Sequence, residues 1–183
     1  MPGREEAQAQ RPVEGGLAQL CTFRVGGEDY AIDIMRVREI IPPLPVTPVP
    51  RSPPFMEGVV RLRGDVIPIL DVRRRLGLPV PPATRKTKYL IVNVAGRRLG
   101  LIVDEVTEVV RLPRGEIRAA PALVDSGGPR FFLGVCGGEG GAAGGRRGAG
   151  RLRLLLNVRA LLEPASPGEA EVARREAEVT RQS

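Results

Sequence analysis

This chain of 183 residues contains no histidine and no tryptophan. Without an imidazole there is no Ser-His-Asp or Cys-His nucleophile, no histidine base, no His-ligated metal and no phosphohistidine. Aromatic residues are scarce, two Tyr and four Phe, so the core is expected to be built of Val, Ile and Leu, which in short runs favour strands. Only two cysteines occur, Cys21 and Cys136, and neither belongs to a CxxC pair; both read as structural thiols. No apolar run approaches the length of a membrane span and the first residues carry no apolar signal core. The expected protein is therefore cytoplasmic, neither inserted nor exported. Phosphate-binding signatures are missing too: there is no GxxxxGK[ST], and no GxGxxG between a strand and a helix. Asp104, Glu105 and Glu108 fall where spacing turns them to solvent, which suits a charged face better than an acid/base pair. No enzyme activity, cofactor or metal is expected.

Hydrophobic residues make up 42% of the chain, enough to bury a core in one domain or a close pair. The net charge of +7 raises the alternative of a basic small-barrel nucleic-acid-binding protein. All but two of the 28 basic residues are arginine, which biased genome composition accounts for. They are scattered along strands and turns without the stacking aromatics of single-strand binders, so no nucleic-acid partner is expected.

The chain nearly repeats itself. Residues 21–41 lie over residues 90–110 without a gap: Val25 meets Val94, Gly27 meets Gly96, Val37 meets Val106 and Glu39 meets Glu108. The register resumes where VIPILDVRRRL (66–76) lies over LRLLLNVRALL (152–162). Two similar modules follow, about 19–78 and about 89–163. The Gly-rich tract 137–150 reads as a loop swollen in the second copy. Residues 1–18 and 164–183 read as tails, the first disordered.

Within the first module, residues 20–25 and 30–34 alternate about Gly26-Gly27 and predict a hairpin. Ile34, Val37, Ile40 and Ile41 share a helical face, so a helix of roughly two turns is expected there, capped by Asp33 and stopped by Pro42-Pro43. Residues 42–54 hold seven prolines and predict a rigid extended crossover; their spacing also fits polyproline ligands. A second hairpin is expected about Arg63-Gly64-Asp65, with Pro68 marking its return strand as an edge or a bulge. Asp71 caps a short Arg-rich helix that Gly77 ends. The second module predicts a hairpin about Ala95-Gly96, a helix-like or bulged DEVTEVV, strands near 131–135 and 152–156, and a last short helix capped by Asn157.

Four motifs in this order resemble the CheW-like coupling proteins of bacterial chemosensory systems: FRVGGEDYAIDIMRVREII (23–41), TPVPRSPPFMEGVVRLRGDVIPILDVRRRLGL (47–78), LIVDEVTEVVRLPRGEIRAAP (101–121) and LLLNVRALL (154–162). The resemblance implies an all-β fold with short helices, two small five-stranded β-barrels packed together. It implies a non-catalytic scaffold coupling methyl-accepting chemotaxis receptors to a CheA-type histidine kinase, held at receptor arrays on the inner face of the membrane without inserting into it. Partner contact is implied for Val37, Glu39, Gly58, Arg63 and Gly64, of which Val37 and Gly58 read equally well as core and turn residues. The chain departs from the family pattern in its Gly/Arg tract and in the proline-dense 42–54 segment.

Overall fold

The computed structural model describes residues 16–119, 131–137 and 151–163. The tails 1–15 and 164–183 and nearly all of the Gly-rich tract lie outside the described residues. Among the described residues ten strands follow in order: β1 (Leu17–Val25), β2 (Glu28–Asp33), β3 (Val37–Ile41), β4 (Met56–Leu62), β5 (Asp65–Asp71), β6 (Lys88–Val94), β7 (Arg97–Val103), β8 (Glu105–Pro113), β9 (Phe132–Cys136) and β10 (Arg153–Leu156), with one short helix, α1 (Val72–Arg75). The hairpins β1-β2, β4-β5 and β6-β7 turn through Gly26-Gly27, Arg63-Gly64 and Ala95-Gly96, both residues at positive φ in each. That is the turn whose twist matches the strands.

Two five-stranded sheets result, ordered β8-β1-β2-β10-β9 and β3-β6-β7-β5-β4. Replacing each strand by its repeat counterpart turns the first order into the second, so the repeat seen in sequence is a repeat of structure. The modules do not sit side by side, however. Hairpin β1-β2 joins three strands of the second module, and hairpin β6-β7 joins three of the first. Even the irregularities correspond: β8 skips Thr107 opposite Thr22 and Phe23, and β3 skips Arg38 opposite Ile91 and Val92. Each sheet curls around its own core and is bridged at one point, Thr47 to Val59 in one and Arg118 to Val135 in the other. These are curled, singly bridged sheets and not continuously closed barrels.

Period-two alternation explains how both faces of a strand are buried. On β6, Leu90, Val92 and Val94 enter the main core between the sheets, while Tyr89 and Ile91 enter the core inside their own sheet. The main core takes Cys21, Phe23, Val25 and Ile32 from one sheet and Leu70, Leu99, Leu101 and Val103 from the other. Each fully buried Leu, Val or Phe contributes about 1.5–3 kcal/mol, so the face joining the sheets is a principal source of stability.

Several expectations are corrected. The helix expected over 34–41 is a single 3-10 turn, Ile34–Arg36, capped by the Asp33 carboxylate accepting from the Met35 amide at 2.9 Å. From Val37 the chain is strand, because pairing with β6 supplies the backbone partners that a helix would make locally. DEVTEVV takes its bulged alternative as β8. Pro68 does not mark an edge: β5 lies between β4 and β7, but pairs with β7 only from Ile69 onward, so the proline sits where that side is still open. At the C-terminal end one 3-10 turn forms, Ala160–Leu162, flanked by Arg159 and not capped by Asn157. β1 starts at Leu17, inside the stretch read as tail, since Leu17 and Ala18 pair with Pro113 and Leu112.

Candidate partner-binding site

Glu39 follows the bulge in β3, and its carboxylate Oε2 lies 3.0 Å from an Arg63 Nη2 nitrogen at the β4-β5 tip. Arg63 holds φ +51 and keeps its side chain 76% exposed, whereas Glu39 is 21% exposed. The glutamate thus anchors one side of a guanidinium whose other donors face solvent. Gly64, at φ +89 with nothing within 4 Å of where a Cβ would stand, completes the turn that projects Arg63. Beside them Asp65 meets Arg98 at 2.7 Å. Val66 is exposed, and strand register sets it opposite Arg61.

The internal repeat provides a built-in comparison. Glu108 occupies in β8 the place that Glu39 occupies in β3, and it too holds an arginine, Arg153 at 3.1 Å. There the arginine is 9% exposed and belongs to the interior of its sheet. Equivalent glutamates therefore hold an inward cation in one sheet and an outward one in the other.

The remaining two residues singled out in sequence each have a packing role. Val37 is half-buried against the main core. Gly58, at φ +144, lets the Thr47 carbonyl pass where a side chain would stand; Gly134 does the same for Arg118 in the other sheet. The structure thus brings Glu39, Arg63 and Gly64 together, while Val37 and Gly58 also have packing roles in the strands beside them.

The family model for the CheW-like domain matches residues 19–165. The chain is 34% identical over 132 residues to the chemotaxis protein CheW of Rhizobium meliloti (strain 1021), covering 72% of this chain and 85% of that protein. The chain belongs to the CheW-like family. A second relative, Protein FrzA of Myxococcus xanthus, is 33% identical over 138 residues, 73% of this chain and 81% of the relative. The crystal structure of the scaffolding protein TtCheW from Thermoanaerobacter tengcongensis is similar with a TM-score of 0.70 at 26% identity, covering 80% of this chain and 93% of that one. This is a family of non-catalytic chemotaxis scaffolds. Among the described residues no helix is long and apolar enough to cross a membrane.

Sequence reasoning missed the two buried arginines that hold the CheW-like fold's halves together. Arg73 forks onto Asp71 (Nε to Oδ1 3.0 Å, Nη2 to Oδ2 2.8 Å) and reaches Asp104 Oδ1 at 3.0 Å. Asp104 in turn accepts from the Gly26 amide at 2.7 Å, tying α1 to the β1-β2 turn in the other sheet. Hydrogen bonding to Asp71 raises the Arg73 pKa despite the opposing effect of burial. Arg75 lies between the rings of Phe55 and Phe131, 4.5 and 4.7 Å from their centroids, and donates to the carbonyls of Leu161 and Glu163 at 3.0 and 2.8 Å. A run of three arginines reads as a solvated face. Only Asp71, placed to cap and to pair at once, signalled otherwise.

Proposed function

We propose that this chain is a cytoplasmic, non-catalytic scaffold that couples methyl-accepting chemotaxis receptors to a CheA-type histidine kinase, recruited to receptor arrays at the inner face of the membrane. The observation that carries the reading is the Glu39-Arg63 pair, whose arginine stands out in water, set against Glu108-Arg153, whose arginine is buried. A charge fixed by one carboxylate, with its other donors in water, is prepared to fork onto a carboxylate or carbonyl of a partner. The domain formed by 19–163 supplies two preformed sheets on one shared core, so little ordering cost attaches to binding at either. Each contact is of the small, weak kind, about 1,000 Å² and micromolar, with strength recovered by multivalency in an array.

The arginines that make the chain basic weigh against the nucleic-acid alternative. Arg24, Arg63, Arg74, Arg98 and Arg151 each face a carboxylate within the molecule. The test is assembly from purified parts. The kinase and a receptor signalling fragment should co-sediment only with this protein present, and Arg63→Ala should weaken that bridging. Assembly that is unchanged when the protein is left out would sink the proposal.

A further inference from the structure

Arg75 lies at the centre of the relation between the two modules. Its counterpart in the repeat is Leu161, and Arg75 Nε donates to the carbonyl of that same Leu161 at 3.0 Å. The rings on either side of its guanidinium, Phe55 and Phe131, are counterparts of each other. The Phe55 carbonyl accepts from the Asp71 amide at 2.9 Å, and the Phe131 carbonyl accepts from the amide of Asn157, the counterpart of Asp71, at 2.7 Å. A residue that touches its own counterpart between two equivalent residues sits where a twofold axis would pass. The modules fill this place differently: Arg75 is 6% exposed and Leu161 wholly buried, so one guanidinium and one apolar side chain share it. Close by in sequence, Arg73 of the first module donates to Asp104 of the second at 3.0 Å. The counterpart of Asp104 in the first module is Met35, which offers no charge to receive such a bond.

Neither module has a core of its own, since all three apolar clusters draw on both modules and each sheet needs strands of both. The connection 79–86 is exposed throughout and contributes to none of these clusters. We propose that Arg75 makes the modules an obligate unlike pair: the face that the first module buries accepts a second module, from its own chain or from another copy, and rejects another first module. Two first modules would set two guanidiniums on the axis between one pair of rings, where burial makes like charges costly, and would turn both Arg73 side chains toward methionine instead of a carboxylate. The linker then serves only to keep the partners close. This pairing concerns how the scaffold is assembled and does not depend on the coupling role.

Lys86 and Lys88 are the only lysines of the chain, so a lysine-specific protease opens the folded full-length protein at the linker alone; Lys86 is 69% exposed. The two pieces should stay together at the size of the parent. Nicked protein and nicked nitrogen-15-labelled protein are then unfolded together in urea, refolded and weighed by native mass spectrometry. Every combination of first piece with second piece should form, labelled and unlabelled alike, and no pair of first pieces. Pieces that part in native buffer, or first pieces that pair with each other, overturn the proposal. A second arm keeps the chain whole and moves the charge across the axis. Leu161→Arg, which puts two guanidiniums there, should lower the urea midpoint strongly, whereas Leu161→Met, of similar volume to leucine and uncharged, should lower it only slightly. Adding Arg75→Leu to Leu161→Arg leaves one guanidinium again and should bring the midpoint most of the way back. A double variant no more stable than Leu161→Arg alone, or a Leu161→Met as unstable as Leu161→Arg, shows that Arg75 is a packing residue without a role in choosing the partner.

Discussion

Replacing Gly58 by alanine separates structural from contact roles at the candidate site. Gly58 holds φ +144, and a Cβ there would overlap the Thr47 carbonyl oxygen, standing 2.9 Å from its carbon and 2.7 Å from Val46 Cγ1. An L-residue at this φ stores about 1–3 kcal/mol. The clash can be relieved only by moving Thr47 away, which weakens the two hydrogen bonds to Val59, each worth about 0.5–1.5 kcal/mol. These costs overlap, since moving the segment relaxes the clash, and the net expectation is about 3–4 kcal/mol. Gly64→Ala is the control: its φ of +89 carries the backbone strain, but nothing lies within 4 Å, so about 1–2 kcal/mol is expected. Urea unfolding of parent and variants, followed by circular dichroism, gives both values from the midpoints at unchanged slope. Trimming Val46 to alanine should rescue Gly58→Ala only slightly, because the closest obstacle is backbone. If Gly58→Ala costs no more than Gly64→Ala, the close-approach argument is wrong, and Gly58 returns to being a candidate for direct partner contact.

Arg63→Ala should change folding stability by no more than about 0.5 kcal/mol, as expected of an exposed ion pair, while weakening kinase or receptor binding by about 1–3 kcal/mol. Normal binding of both partners would remove Arg63 from the site, and a large loss of stability would make it structural. Arg75→Met keeps the aliphatic stem but deserts the carbonyls of Ala160, Leu161 and Glu163 and two aromatic faces, so a loss of about 2–4 kcal/mol is expected; a neutral result in the same urea assay refutes the clamp. Burial pushes the thiols of Cys21 and Cys136 above their ordinary 9.0, and Tyr30 and Tyr89 above 10.0. Well below about pH 8 all four are protonated in both states; as pH climbs, the unfolded chain releases protons that the folded chain retains, so stability falls. Urea midpoints should drop between about pH 8 and about pH 10.5, less steeply in Cys21→Ala, Cys136→Ala, and a flat profile would contradict the burial argument.

Local chemistry made much of this fold legible. Three hairpins were readable because Gly26-Gly27, Gly64 and Gly96 supply turns that few other residues accept, and α1 because Asp71 caps it and Gly77 ends it. The repeat was readable as well, since matching side chains must fill matching places in the two sheets. Histidine's absence excluded whole classes of catalysis before any fold was known. What the chain could not disclose locally is the fate of segments whose backbone partners lie far away. Residues 37–41 carry a spacing that suits a helix and become strand because β6 is there to pair with them. The exchange of hairpins between sheets is invisible to any local pattern, because a strand's alternation shows that two faces are buried but not against which neighbours. Arg73 and Arg75 look like surface charges until Asp71, Asp104, Phe55 and Phe131 converge on them. Likewise Glu39 and Glu108 are the same residue at the same place in a repeat. Only the assembled sheets decide that one holds an arginine toward water and the other an arginine toward the interior, since burial is a property of everything packed around a residue and not of the residue's neighbours in sequence.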